Sequence, residues 1–290
     1  MPTSSRLPVR KTYKLYVNGE FARSESGRTF PFKHRAGITH VARATRKDLR
    51  DAVRAARAAL GPWRNRSAFN RGQILYRLGE IMEDRRGELV EALVRANVRL
   101  PAAEKEVSAA VDRVVWYAGW CDKIEQWSST KNPVAGPHFN VSSPEPSGVV
   151  GIVAPSAPSL LGLVSTTVPP LCAADTVVVI ASQDNPLSAI AFAETIATCD
   201  MPAGVVNILT GERSELTPHL ARHMDIKALD LWLDDDALEA HAADLACASV
   251  KRVRRGKPQS SAFWFGEASM SPRWIESFME IKTVWHPAGL

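Results

Sequence analysis

The chain is short of cysteine. Its four, Cys121, Cys172, Cys199 and Cys247, are scattered with no CxxC spacing among them. That excludes a zinc ribbon and a disulfide framework, and it fits a reducing compartment. Long apolar runs are missing too: none approaches the roughly 18 residues of a membrane span. The opening MPTSSRLPVRKTYK has no apolar centre for a secretory leader. The expected location is therefore cytoplasmic, with no membrane partner. Helix-turn-helix, zinc-finger and RNP-like patterns do not occur, so no nucleic-acid partner is expected. The basic run Lys251, Arg252, Arg254, Arg255 and Lys257 reads as a solvated loop. A G-x-G-x-x-G fingerprint is also absent, because only Gly151 intervenes between Gly148 and Gly162.

What is there can build a core. The 290 residues are 45% hydrophobic and 23% charged, and 36 Lys and Arg against 31 Asp and Glu leave a net charge of +5. That is ordinary globular composition. Asn18-Gly19 stands between apolar residues in YKLYVNGEF, a hairpin signal because a type I′ turn needs positive φ at both central positions. A looser strand is expected near residues 28–32. Leu49, Val53, Ala56 and Leu60 recur at helical spacing over 46–60, and two further helices are read over 70–82 and 86–98. Pro101 reads as a break, followed by one long amphipathic helix over 104–127. The proline-rich stretch 128–146 carries an extended run at 138–142.

Residues 148–211 form the centre of the reading. Three short β-branched runs, 149–154, 176–180 and 205–209, are separated by apolar helices. Continuous apolar strands joined by crossover helices indicate a parallel sheet covered on both faces. A helix over 214–224 and a fourth apolar run over 226–233 follow. The triple Asp234, Asp235 and Asp236 is read as a helix cap for 237–249 rather than a metal site. His219 and His223 stand four apart, a spacing that can bind metal, but a solvated helix face is the reading taken, and no metal is expected. At the end, Met279, Ile281, Thr283 and Trp285 alternate with Glu280, Lys282, Val284 and His286 in a strand with one mainly apolar face. Such an edge tends to be paired.

These segments, in this order, resemble the aldehyde dehydrogenase superfamily. YVNGEF is similar to that family's N-terminal hairpin, and SPEPSGVVGIVAP to its EPxGVVGxIxPWNFP segment. TVVVIASQDNPLSA, MPAGVVNILTG and MEIKTVW resemble three further family motifs. NPVAGPHFN and MEIKTVWHPAG resemble the degenerate second unit of the branch that fuses two dehydrogenase units. The resemblance implies an α/β fold: a Rossmann-like doubly wound parallel sheet with flanking helices, plus β-strand oligomerisation segments. It divides the chain into a hairpin and helical part (1–127), an oligomerisation strand segment (128–147), the sheet core (148–250), and a basic loop with a C-terminal oligomerisation strand (251–290).

The departures from the family pattern carry the functional reading. Where the family has a Trp-Asn pair, the Asn helping to hold an oxyanion, Pro155 is followed by Ser156 and Ala157. The family's ribose-binding Lys and the Glu three residues on are matched by Ile180 and Gln183. Trp232 stands where a Gly would let backbone approach the cofactor. The Glu-Leu-Gly-Gly and Gly-Gln-x-Cys motifs, which hold the base and the thiolate, do not occur. Cys247 reads as a structural thiol. The resemblance thus implies a pseudoenzyme, a non-catalytic subunit without catalytic residues or cofactor. It would associate with a full-length aldehyde dehydrogenase as a hetero-oligomer. His138, Phe139 and Val141, with Met279, Ile281, Thr283 and Trp285, are the expected interface. Two alternatives remain open: a fragment with residual NAD binding, and a module that channels a partner's product.

Overall fold

Asn18 and Gly19 turn the chain at φ 53° and 77°, and Leu15–Val17 (β1) folds back on Glu20–Ala22 (β2) as the turn signal requires. The computed structural model describes residues 11–34 and 37–288. The first ten residues of the stretch read as leader-free, and residues 289–290 of the terminal segment, lie outside the described residues. Thr29–His34 (β3) and Gly37–Ala42 (β4) form a second antiparallel pair.

Thr45 caps Arg46–Arg64 (α1) in a reciprocal box with Asp48. Leu49, Ala52, Val53, Ala56 and Trp63 are its buried face. Ala68–Asp84 (α2) and Arg86–Arg95 (α3) follow. The expected long helix is two. Leu100–Ala118 (α4) begins with Pro101 in its first turn, where the absent N–H costs nothing. Residues 119–123 then turn, and Ile124–Ser128 (α5) resumes. Gly119 favours the interruption by its low helix propensity, and Lys123 Nζ donates to its carbonyl at 2.5 Å. Ala118 before the turn and Ile124 after it are both buried, so the apolar period continues across the break.

Thr130–Lys131 (β5) and His138–Pro146 (β6) precede the core. The core then runs Val149–Val153 (β7), Leu161–Cys172 (α6), Thr176–Ile180 (β8), Pro186–Ile196 (α7), Val206–Leu209 (β9), Arg213–Arg222 (α8), Ile226–Trp232 (β10) and Asp236–Cys247 (α9). Asp235 caps α9 through the N–H groups of Ala237 and Leu238, as expected of the acidic triple. Arg252–Gly256 (β11), Ser261–Phe265 (α10), a short 3-10 turn at Glu267–Ser269, Arg273–Glu276 (α11) and Met279–Pro287 (β12) complete the chain.

The main sheet has the order β11-β10-β7-β8-β9-β1-β2. Strands β7 to β11 are parallel, while β1 and β2 add an antiparallel edge. Helices α1, α8 and α9 pack through Leu49, Val53, Leu216, Leu220 and Ala242 onto one face. Helices α6 and α7, backed by α2, α3 and α4, cover the other. The sheet is thus doubly wound, and it is wider than residues 148–250 on both sides.

The basic run is not a solvated loop. It is strand β11, paired in parallel with β10 so that Arg254 lies opposite Asp230. Arg254 forks onto both oxygens of that carboxylate, at 2.9 and 2.5 Å. Arg255 meets Glu239 at 2.6 Å and Lys257 meets Asp236 at 2.7 Å. Asp230 and Glu239 are fully buried, and a buried carboxylate needs a cation beside it. The run answers acids elsewhere in the chain, a relation its local composition does not display.

Candidate functional site

Sheet order locates the crevice. Chain order reverses at β7: the connection through α6 leads to β8 on one side, while β10 arrives from α8 on the other. In open α/β sheets ligands bind outside the carboxyl ends of the strands at such a switch point. Here those ends are Ala154 to Ser156 after β7 and Leu233 to Asp234 after β10.

A side chain not singled out from the sequence lies there. Arg213, the first residue of α8, is only 8% exposed. Its Nη2 donates to the carbonyl of Ala154 at the end of β7. Its Nη1 donates to Ser156 Oγ at 2.8 Å, and Ser156 Oγ donates onward to Asp234 Oδ2 at 2.8 Å, beyond the end of β10. The guanidinium and Ser156 therefore bridge the two strand ends. Burial lowers the Arg213 pKa, and the carboxylates of Asp184 and Asp234 oppose that shift. The third guanidinium nitrogen, Nε, has no partner among the described residues.

The residues expected at a cofactor site behave differently from one another. Ser156 enters the crevice as Arg213's acceptor. Ala157 is exposed. Ile180 is fully buried in the core beneath α1 and α8, beside Val153, Leu209 and Leu231. Gln183 accepts from the backbone N–H of Arg213 at 3.2 Å and donates to Glu212 at 2.8 Å, so it pins the start of α8. Trp232 packs its ring against Trp264 at 4.9 Å and Trp274 at 5.7 Å. It packs against residues 261–278, and the side chain that spans the ends of β7 and β10 is Arg213. The available signal was a large basic residue two positions after Gly211, at the junction of β9 and α8. Its direction depends on where β7 and β10 end.

Cys121, Cys172 and Cys199 are buried. Cys247 ends α9 and is exposed, its thiol donating to the Ala243 carbonyl at 3.3 Å, so it is not the packed thiol expected. His219 and His223 share α8 and its C-terminal cap, and burial lowers both pKa values. Among the described residues no group of three or more His, Cys, Asp or Glu side chains could hold a metal ion. No described helix is long and apolar enough to cross a membrane.

A second surface lies on the separate sheet β12-β6-β5. Its register sets His138 and Asn140 on one face with Met279, Ile281, Thr283 and Trp285, and Phe139 and Val141 on the other with Val284 and His286. The seven residues expected at an interface thus divide between two faces. Met279 is buried at the base, whereas Phe139, Val141, Ile281, Val284 and Trp285 are 37–60% exposed. Within the sheet, Ser142 and Thr283 hydroxyls meet at 2.8 Å and Asn132 Nδ2 donates to Ser142 Oγ at 2.8 Å.

The family model for the aldehyde dehydrogenase family matches residues 22–252. Cytosolic 10-formyltetrahydrofolate dehydrogenase of Mus musculus is 34% identical over 257 residues, covering 86% of this chain and 28% of that protein. Aldehyde dehydrogenase, cytosolic 1, of Elephantulus edwardii is 35% identical over 249 residues, covering 83% of this chain and 49% of that protein. The NAD+ complex of an aldehyde dehydrogenase from Bacillus cereus superposes with a TM-score of 0.80 at 26% identity, covering 85% of this chain and 51% of the other. The chain spans about half, or less, of the length of these relatives. At the strand ends of this chain a guanidinium uses the Ala154 carbonyl and the Ser156 hydroxyl.

Proposed function

The chain belongs to the aldehyde dehydrogenase family, and from that premise we propose that it is a non-catalytic subunit that docks on a catalytically complete aldehyde dehydrogenase. The observation that carries this reading is the sheet β12-β6-β5. Five large apolar side chains, Phe139, Val141, Ile281, Val284 and Trp285, stand in water on its two faces. Exposed apolar groups of this size, clustered on each face of one small sheet, mark an interaction surface. Among the described residues, β12 is hydrogen-bonded to β6 alone, so one edge of its backbone is free to pair.

The interior of the chain supports the same reading. Between β10 and β12 lie only α9, β11 and short helices, with neither the Glu-Leu-Gly-Gly nor the Gly-Gln-x-Cys motif. Covalent aldehyde chemistry needs a thiolate, a base and an oxyanion donor together, and the crevice offers Ser156, Ala157 and Arg213 instead. The partner would be a cytoplasmic full-length dehydrogenase, and segments 128–147 and 274–287 would supply the contact.

Co-expression with a full-length aldehyde dehydrogenase from the same source tests the reading. The expected result is a hetero-oligomer that survives gel filtration. Trp285→Glu with Ile281→Lys should weaken it by more than about tenfold, or about 1.4 kcal/mol. A wild-type chain that stays a stable lone monomer, with its partner present, would sink the proposal.

A further inference from the structure

We infer that Arg213 is a built-in occupant of the crevice, held at the β7 and β10 strand ends so that the site is closed to a dinucleotide until that side chain is removed. The inference deepens the non-catalytic reading above and rests on it for the family context. Three observations carry it. The first is position: the guanidinium lies at the switch point, where a ligand of this fold class would sit. The second is anchorage. Arg213 is 8% exposed and fixed through the Ala154 carbonyl and the Ser156 hydroxyl, and Ser156 is itself fixed on Asp234. Gln183 holds the backbone N–H of the same residue.

The third is charge. A phosphate could in principle exploit a buried arginine, since the guanidinium is a good anion ligand. Here its two terminal nitrogens are engaged within the fold, and Asp184 and Asp234 lie near enough to act on its pKa. Glu212 stands at the adjoining helix start, bonded to Gln183. A diphosphate approaching the strand ends would meet these carboxylates beside the guanidinium, and their charge opposes its approach. The fold also keeps Nε unpartnered in a buried site, a cost borne by a side chain that fills space rather than one arranged for a ligand.

The test uses the full chain with NAD+ as the probe, read by calorimetry and by the thermal shift it produces. The wild-type chain should show no saturable binding and no shift at ligand concentrations of about 1 mM. Arg213→Gly should open the crevice and bind NAD+ at least about tenfold more tightly than wild type. Its Tm should rise with added NAD+ while the wild-type Tm does not move. Arg213→Ser, which removes the guanidinium but keeps a side chain at the helix start, should behave likewise and covers the case in which the glycine variant fails to fold. Saturable binding by the wild-type chain would overturn the inference. So would two well-folded variants that bind no better than wild type. Neither result touches the docking proposal, because Arg213 belongs to neither β6 nor β12 and subunit association is read separately.

Discussion

Asp175 shows how a single residue sets a term in the stability of this fold. It precedes β8, is fully buried, and accepts the backbone N–H of Gly148 at 2.6 Å through Oδ1, while Oδ2 has no partner among the described residues. Burial pushes its pKa well above the ordinary carboxylate value, and the Gly148 bond only partly opposes this. A raised folded pKa means the fold prefers the protonated acid. The stabilisation is fully present below the unfolded value of about 3.9 and is lost as pH rises through the folded value. Asp175→Asn keeps the acceptor and removes the titration. In urea unfolding its advantage over wild type should be near zero at pH 4 and exceed about 1 kcal/mol at pH 8; a pH-independent difference would contradict the assignment. At this scale the sequence was only partly legible. Ser156 and Gln183 were singled out as degenerate positions, and both contact Arg213. Arg213 itself was missed, because an arginine at a helix start looks like any exposed basic residue until the strand ends beside it are known.

At the scale of elements, hydrophobic period decided what could be read. The runs of β7, β8, β9 and β10 are buried along nearly their whole length, and that continuous apolar signal identified them. Strand β11 escaped because its residues, RVRRG, carry three arginines whose counter-ions lie elsewhere. Its last residue also binds it closely to β10. A Cβ at Gly256 would come within 2.3 Å of the Trp232 indole, so the two strands approach over a face that only glycine leaves free. Gly256→Ala should displace Trp232 from Trp264 and Trp274. The expected readout is a weakened near-UV circular dichroism signal and a loss of about 2 kcal/mol in stability; an unchanged spectrum and midpoint would contradict it. The division of the expected long helix into α4 and α5 has the same lesson, since buried positions on both sides of Gly119 kept the period alive across a turn.

At the scale of the whole molecule, Arg113 joins the C-terminal segment to the doubly wound core. It projects from α4 and is 3% exposed. It donates to Ser165 Oγ of α6 at 2.6 Å, to the Trp264 carbonyl at 2.9 Å, and to the carbonyl and hydroxyl of Ser269 at 2.5 and 3.0 Å. These acceptors are neutral, and burial lowers the pKa of the guanidinium. Trp232, Trp264 and Trp274 seal the same seam, with the Arg254 guanidinium 4.1 Å from the Trp274 ring centroid. Arg113→Ala would leave buried acceptors unpaired and should cost about 3 kcal/mol. Limited proteolysis should then cut residues 257–278 faster than in wild type while the sheet core resists; uniform protection in both proteins would contradict this role.

The sequence by itself determined the family, the parallel sheet with helices on both faces, the capped start of α9 and the terminal strand β12. Each of those rests on local information: period, turn chemistry and short motifs. The pairing of β11 with β10, the division of the expected interface between two faces, and the guanidinium between the ends of β7 and β10 were decided only by tertiary structure. They depend on which residues far apart in the chain meet. A buried carboxylate attracts its cation through space, and a one-residue step along a strand moves a side chain to the opposite face. The pairing of charges has no signature in any single stretch of chain, and alternation within one strand does not say which face of its neighbour it joins.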